Sequence, residues 1–203
     1  MKLFIKPGSC SLASHIALRE VGAAFEIDPV DFETGKSQSG ADYNTINPKG
    51  YVPALQLGNG EVLTEGASVL QYIADQHPAS NLTPASGTIM RARLQEYLNY
   101  TSSELHKAFS PLFFAGTSDA GKEKAKTNVA KKLDYVNTLL EDKAAYLLGH
   151  DFSVADAYLF VVCNWANFVG IDLKAWPNIV SFSKRVSERP AVHAAMKAEG
   201  LIG

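Results

Sequence analysis

The chain has 203 residues, of which 46% are hydrophobic and 20% charged, and its formal net charge is -2. This composition is typical of a folded protein with one good core or two modest ones. Basic and acidic residues are interspersed along the chain, so no basic patch points to nucleic acid or an anionic membrane as a partner.

The N-terminus and the cysteines indicate a compartment. The first apolar run reaches Pro7 and Gly8 too soon for a signal peptide, and no stretch is long enough to span a bilayer. Cys10 and Cys163 lie far apart in different contexts, which favours neither a disulfide framework nor a zinc site. We therefore expect a cytoplasmic protein with reduced thiols and no bound metal.

The first eighty residues alternate strand-like and helical patterns. Their order predicts β-α-β, a connecting segment, and then β-β-α. Pro29 makes the second strand an edge strand or a broken one. The predicted elements are a strand at 2–6, a helix at 11–22, a strand at 24–32, a hairpin of strands 51–57 and 61–65, and a helix at 66–77.

Residues 77–87 are rich in Pro, Ser, Gly and Asn, and they are predicted to be a linker. The chain beyond them reads as all-helical. Ser153 and Asp156 have the spacing of a capping box at the start of one of these helices. The predicted helices cover 88–115, 121–143, 153–170, 177–189 and 190–199. Two domains follow, at 1–80 and 88–203.

Cys10 directly precedes the first predicted helix. The positive end of the helix dipole favours a thiolate there, which would make Cys10 a nucleophile. The alternative is a small buried side chain near a turn, and position alone leaves the two interpretations about even. Cys163 lies within an apolar helical run and is interpreted as a core residue.

Two neighbouring motifs suggest binding of a small peptide. Pro53, at the start of a strand, would leave the backbone of Val52 available to an extended peptide. Most X-Pro bonds are trans, so the sequence alone does not predict a cis bond. Glu65, followed by Gly66 at a helix start, would suit the ammonium and carboxylate of an amino-acid head group. By itself, a first-turn acid with a capping role is the simpler interpretation of Glu65.

A polar stripe without Lys or Glu follows one face of the helix predicted at 88–115. Ordinary solvent-facing stripes are rich in charge, so this one suggests a surface that lines a site. His106 would be its hydrogen-bonding or proton-handling group, although a lone histidine is more often structural. The stripe consists of Asn99, Ser103, His106 and Ser110.

Six segments, in order and together, resemble the cytosolic glutathione transferases of the bacterial beta class. They are PGSCSLASHIALRE, NPKGYVPALQL, LTEGASVLQYIAD, ELHKAFSPLF, FSVADAYLF and the terminal AEGLI. The resemblance implies an α/β thioredoxin-like N-terminal domain that binds glutathione and an all-α C-terminal domain that carries the electrophile site. It also implies a homodimer and a cis proline after Val52.

The resemblance further implies roles for individual residues. Cys10 and His106 would be catalytic. The glutathione-binding residues would be Gly35, Lys36, Tyr51, Val52, Pro53, Glu65, Gly66, Asn99 and Ser103. The apolar electrophile would contact Phe109, Phe113 and Trp165. The class often has two consecutive lysines where this chain has Gly35 and Lys36, which puts the contact with the glycyl carboxylate in question.

The implied activity is the conjugation of glutathione to small hydrophobic electrophiles in detoxification, with glutathione as co-substrate and no metal or organic cofactor. One alternative is thiol-disulfide exchange or peroxide reduction through Cys10, by a monothiol route that glutathione resolves. A non-catalytic glutathione-binding protein ranks lowest, because the chain keeps Cys10, Val52 with Pro53, Glu65 and His106.

Overall fold

The computed structural model describes residues 1–141 and 145–203, which form two compact units. The first unit comprises Met1–Thr83 together with Glu188–Gly203, and the second is Pro84–Ser187. The boundary between Thr83 and Pro84 falls inside the predicted linker. The sequence placed residues 188–203 in the helical domain, whereas the structure groups them with the first unit because their helix packs on the first helix of the chain.

A five-stranded sheet forms the centre of the first unit. The strands are β1 (Lys2–Ile5), β2 (Glu26–Asp31), β3 (Lys36–Ser37), β4 (Ala54–Gln56) and β5 (Val62–Thr64). Their spatial order is β3-β2-β1-β4-β5. Strands β1 and β2 are parallel, and every other neighbouring pair is antiparallel. This mixed sheet has the element order that the alternating patterns predict and the thioredoxin-like arrangement that the family resemblance implies.

The strand that contains Pro29 is not at the edge of the sheet, contrary to the expectation from proline. The short β3 pairs only with Val30 and Asp31, so the missing N–H of Pro29 interrupts no bond to that strand. Strand β3 was not predicted, because two residues carry no alternation that a sequence pattern could reveal.

Four α-helices complete the first unit. They are α1 (Ser11–Glu20), α2 (Tyr43–Ile46), α3 (Gly66–Gln76) and α9 (Pro190–Ala198). Helix α1 packs against both α3 and α9. Eight consecutive residues of α1 are buried, because the helix has the sheet on one side and other helices around it. This burial fixes the position of its N-terminus, where Cys10 lies.

The helices of the second unit are joined by loops, and its described residues contain no strand beyond an isolated β-bridge between Tyr146 and Gly149. Its α-helices are α4 (Ile89–Tyr100), α5 (His106–Phe113), α6 (Asp119–Leu139), α7 (Val154–Asn164) and α8 (Pro177–Ser187). A π-helical turn, Thr101–Leu105, joins α4 to α5, so the predicted helix 88–115 is nearly continuous. Positions 142 and 143 of the predicted helix 121–143 lie outside the described residues.

Helix α7 is the buried centre of the second unit, with Val154 through Cys163 all buried. The predicted capping box begins it: the carboxylate of Asp156 accepts hydrogen bonds from the N–H and the hydroxyl of Ser153, at 2.9 and 2.6 Å. Burial raises the pKa of the Cys163 thiol to about 12, in keeping with its interpretation as a core residue. In the parts of the chain described here, no helix is both long and apolar enough to cross a membrane.

Candidate functional site

The thiol of Cys10 lies at the N-terminus of α1, where the sequence placed it. Cys10 is half-buried, and its thiol donates a hydrogen bond to the carbonyl oxygen of Val52, with Sγ and O 3.3 Å apart. The first turn of α1 contains no acidic residue to offset the helix dipole. Because this end of the helix is positive, the local field favours a thiolate at this position.

Hydrogen bonds from two side chains hold the backbone next to Val52 in place. The carbonyl of Tyr51 accepts hydrogen bonds from the Tyr43 hydroxyl at 2.8 Å and from the Asn47 amide at 2.6 Å. Tyr43 and Val52 belong to one hydrophobic cluster of buried residues, whereas the Tyr51 side chain is exposed. The peptide bond between Val52 and Pro53 is cis.

The N–H of Val52 has no partner in the described part of the chain, whereas its carbonyl accepts from the Cys10 thiol. Backbone donors are strong hydrogen-bonding groups, so an unpaired one beside a thiol suggests a ligand that pairs with it. An extended peptide segment supplies such a partner.

Glu65 stands at the N-cap of α3 with a backbone φ of 67°. This left-handed conformation is uncommon for a residue with a side chain, and such positions concentrate at functional sites. The exposed Glu65 carboxylate forms an ion pair with Lys49, whose Nζ lies 2.6 Å from Oε1 and 2.9 Å from the Thr64 hydroxyl. An exposed pair of this kind contributes less than about 1 kcal/mol, so a ligand ammonium could displace Lys49.

The loop at Gly35 and Lys36 begins β3. Gly35 has a φ of 68°, and its carbonyl accepts a hydrogen bond from the N–H of Tyr43 at 2.9 Å. This bond ties the loop to the helix whose tyrosine supports Tyr51. Lys36 is exposed and provides a cation at this position.

In the second unit, His106 is the first residue of α5. Its Nδ1 lies 2.9 Å from the hydroxyl of Tyr158, and the edge of its ring meets Trp165 at a centroid distance of 4.6 Å. Burial, and to a smaller extent the charge of Lys107, lower the pKa of His106 to about 4. The imidazole is therefore neutral at neutral pH and is suited to donate or accept a hydrogen bond.

Two of the three residues predicted for the apolar site, Phe109 and Phe113, pack against the third, Trp165. The rings of Phe109 and Phe113 approach Trp165 at centroid distances of 5.9 and 5.6 Å, both edge to face. Phe109 and Trp165 are buried, whereas Phe113 is 52% exposed. Phe113 is therefore the member of this group that presents apolar surface.

The polar stripe is divided by the π-helical turn. Asn99, Ser103 and Ser110 are exposed, whereas His106 is half-buried among aromatic rings. Leu98 and Leu105, seven residues apart across the turn, are both fully buried, so the apolar face of the helix continues through it. Such turns are frequent at functional sites, but nothing in the stripe's composition signals one.

Several residues that shape these groups were not predicted as site residues. Lys49 lies within the segment NPKGYVPALQL, and its positive charge next to Gly50 is the feature that could have marked it as a partner for an acidic residue. Tyr43, Asn47 and Tyr158 act through contacts distant in sequence, for which no local pattern exists. No group of three or more potential metal-ligating side chains occurs within residues 1–141 and 145–203.

Comparisons with known proteins identify the family. The profile for the glutathione S-transferase N-terminal domain matches residues 1–75, and the profile for the C-terminal domain matches residues 100–190. The glutathione S-transferase GstA of Escherichia coli O157:H7 is 46% identical over 201 residues, covering 99% of this chain and 100% of that protein.

Two solved structures extend the likeness over the whole chain. The bacterial beta class transferase of Sphingomonas chungbukensis is 52% identical, with a TM-score of 0.96 and all of both chains covered. A sphingomonad glutathione S-transferase solved in complex with glutathione is 50% identical, with a TM-score of 0.95 and the same coverage. The chain therefore belongs to the glutathione S-transferase family, within the bacterial beta class.

Proposed function

We propose that the protein conjugates glutathione to small hydrophobic electrophiles, as an enzyme of detoxification. The observation that carries the proposal is the Cys10 thiol, 3.3 Å from the Val52 carbonyl at the N-terminus of α1. A tripeptide that pairs with the Val52 backbone through its central residue places its own sulfur beside this thiol. The sphingomonad relative solved with glutathione supports the choice of tripeptide.

The ends of glutathione would bind charged groups of the first unit. The γ-glutamyl ammonium would replace Lys49 at the Glu65 carboxylate, and the γ-glutamyl carboxylate would lie at the start of α3 beside Gly66. The exposed ammonium group of Lys36, next to Gly35, would form an ion pair with the glycyl carboxylate of glutathione. Tyr51 and Pro53 would line the extended tripeptide, and the family resemblance adds Asn99 and Ser103.

The chemical step is a nucleophilic substitution or addition. The glutathione thiol releases its proton to solvent water, and the resulting thiolate forms a carbon–sulfur bond with the electrophile. In a substitution the leaving group departs with the electrons of the bond that breaks, and in an addition the adjacent atom takes up the π electrons and then a proton from water. The helix dipole at Cys10 and hydrogen-bond donors toward the sulfur stabilise the thiolate. As the family resemblance implies, His106 would supply one such donor as a neutral imidazole, and Phe113, which packs on the buried Trp165, would offer apolar surface to the electrophile.

The proposal also covers the roles of the two domains, the oligomeric state and the cellular location. Residues 1–80 would provide the glutathione site and residues 88–203 the electrophile site, and the protein would act as a homodimer, as the family resemblance implies. A cytoplasmic location belongs to the same proposal, because a nucleophilic thiol and reduced glutathione both require a reducing compartment.

The test compares two reactions in three variants. Wild type should conjugate glutathione to chlorodinitrobenzene and should also reduce a glutathione mixed disulfide. Cys10→Ala should lose disulfide exchange entirely, because the thiolate nucleophile is removed. Conjugation should fall about tenfold, because in that reaction the glutathione sulfur would carry the negative charge and a protonated Cys10 would donate to it. His106→Ala should reduce conjugation by a similar factor. Cys163→Ala removes a thiol that lies in the core and should keep both reactions.

Two results would refute the proposal. One is a wild-type protein that neither turns over chlorodinitrobenzene nor binds immobilised glutathione, which would favour a non-catalytic role. The other is equal loss of activity in Cys10→Ala and Cys163→Ala, which would mean that the site does not include residue 10.

A further inference from the structure

The contact between His106 and Tyr158 is buried and well aligned. Tyr158 is only 4% exposed, because it belongs to the central helix α7, and its hydroxyl lies 2.9 Å from Nδ1 of His106. The two rings are nearly perpendicular, at 88°. Trp165 meets the imidazole edge to face at 82°, so the ring is held on more than one side.

The direction of this hydrogen bond follows from the chemistry of the two groups. A neutral imidazole has one N–H and one bare nitrogen. The phenol is the acidic partner and the imidazole nitrogen the basic one, with ordinary pKa values of about 10 and about 6.5. This difference favours the arrangement in which the O–H donates to the bare nitrogen, with the lone pair on Nδ1 and the proton on Nε2.

We propose that Tyr158 is a positioning residue, which fixes His106 in the tautomer that carries its proton on Nε2 and so prepares that nitrogen to donate a hydrogen bond during conjugation. The part that concerns conjugation rests on the proposed function. The part that concerns the tautomer rests only on the contact between the two side chains.

The tautomer is measured by nitrogen-15 NMR of the protein labelled at histidine, at pH 7. His106→Asn identifies the signals of residue 106. Wild type should show a protonated Nε2 and a bare Nδ1, and Tyr158→Phe should show both tautomers. Tyr100→Phe is the matched control: it removes a hydroxyl that donates to the Lys132 carbonyl at 3.2 Å, and it should leave the His106 signals unchanged.

The same variants are then assayed for conjugation. Tyr158→Phe should lower kcat about tenfold and change KM for glutathione less than about twofold, because orientation is lost while binding is kept. Tyr100→Phe should keep kcat. A wild-type signal from a protonated Nδ1, an unaltered tautomer in Tyr158→Phe, or an unaltered kcat would each overturn the proposal. If wild type does not turn over at all, the proposed function fails, and the NMR signals alone still decide the tautomer.

Discussion

Replacing Glu199 with alanine should lower the free energy of unfolding by about 3 kcal/mol, because it removes one partner from a fully buried polar network. Glu199 Oε1 lies 2.8 Å from Nδ1 of His15, and neither side chain is exposed. Arg19 Nε donates to Nε2 of His15 at 2.9 Å. Since an arginine can only donate, Nε2 holds a lone pair and Nδ1–H donates to Glu199.

The same carboxylate also holds the segment that leads to Cys10. Its Oε2 accepts a hydrogen bond from the Gly8 N–H at 2.9 Å. Gly8 has a φ of 73°, and an added Cβ would lie 3.2 Å from Leu201, so residues near the C-terminus fit closely against this turn. The loss of Glu199 should therefore also reduce conjugation, through the position of Cys10.

Urea unfolding monitored by fluorescence measures the change in the free energy of unfolding caused by Glu199→Ala. The matched control is Glu20→Ala, which breaks the bidentate pair with Arg189, another link between α1 and the segment before α9. That pair is partly exposed, so its loss should cost about 1 kcal/mol. Equal destabilisation by the two substitutions would contradict the special role of the buried network.

Asp156→Ala should have the second largest effect, about 3 kcal/mol at pH 4.5, because three hydrogen bonds lose their acceptor. The Asp156 carboxyl group accepts from the N–H and hydroxyl of Ser153 and from the Leu147 N–H at 2.8 Å. These bonds begin the buried helix α7 and tie the preceding loop to it. Their N–H groups would lose this acceptor in the alanine variant.

The cost of this substitution should depend on pH. Burial raises the pKa of Asp156 from 3.8 to about 6, against the opposing effect of its hydrogen bonds. A carboxyl group with a raised folded-state pKa stabilises the fold fully below about pH 4, and this contribution decreases as pH rises through 6. The cost of Asp156→Ala should therefore shrink by about 2 kcal/mol between pH 4.5 and 7.

Chemical unfolding of wild type and Asp156→Ala between pH 4.5 and 7 tests whether the cost of the substitution falls as pH rises. Asp172→Ala serves as control, since it removes a carboxylate that caps the Lys174 N–H at 3.0 Å on the exposed surface. Its cost should be well below that of Asp156→Ala. A cost of Asp156→Ala that grows as pH rises would show that the folded state lowers, rather than raises, the pKa of this group.

Elements with a clear hydrophobic period were predictable from the sequence. Strand β1, the β4–β5 hairpin and the helices other than α2 lie where alternation or helical spacing put them, within a few residues. The four-residue α2 falls in the predicted connecting segment, since one turn of helix is too short to show a period. The exceptions have physical causes. Strand β3 is too short for a pattern, and the π-helical turn at Thr101–Leu105 depends on packing that a regular period does not report.

The sequence offered candidate residues for the site but not their arrangement. The motifs singled out Cys10, Val52 and Glu65 as candidates, because helix starts and prolines leave local signals. The contacts that position these residues cross long stretches of chain: 42 residues separate Cys10 from Val52, and 191 separate Gly8 from Glu199. Only folding brings such groups together, so no spacing rule could reveal Glu199 or Tyr158.

A crystal structure of the protein grown with glutathione tests the central claim most directly. We expect the cysteinyl residue of the tripeptide to pair with both the N–H and the carbonyl of Val52, and its sulfur to lie within about 3.5 Å of Cys10 Sγ. Glutathione bound away from Val52, or no bound glutathione at saturating concentration, would contradict the account.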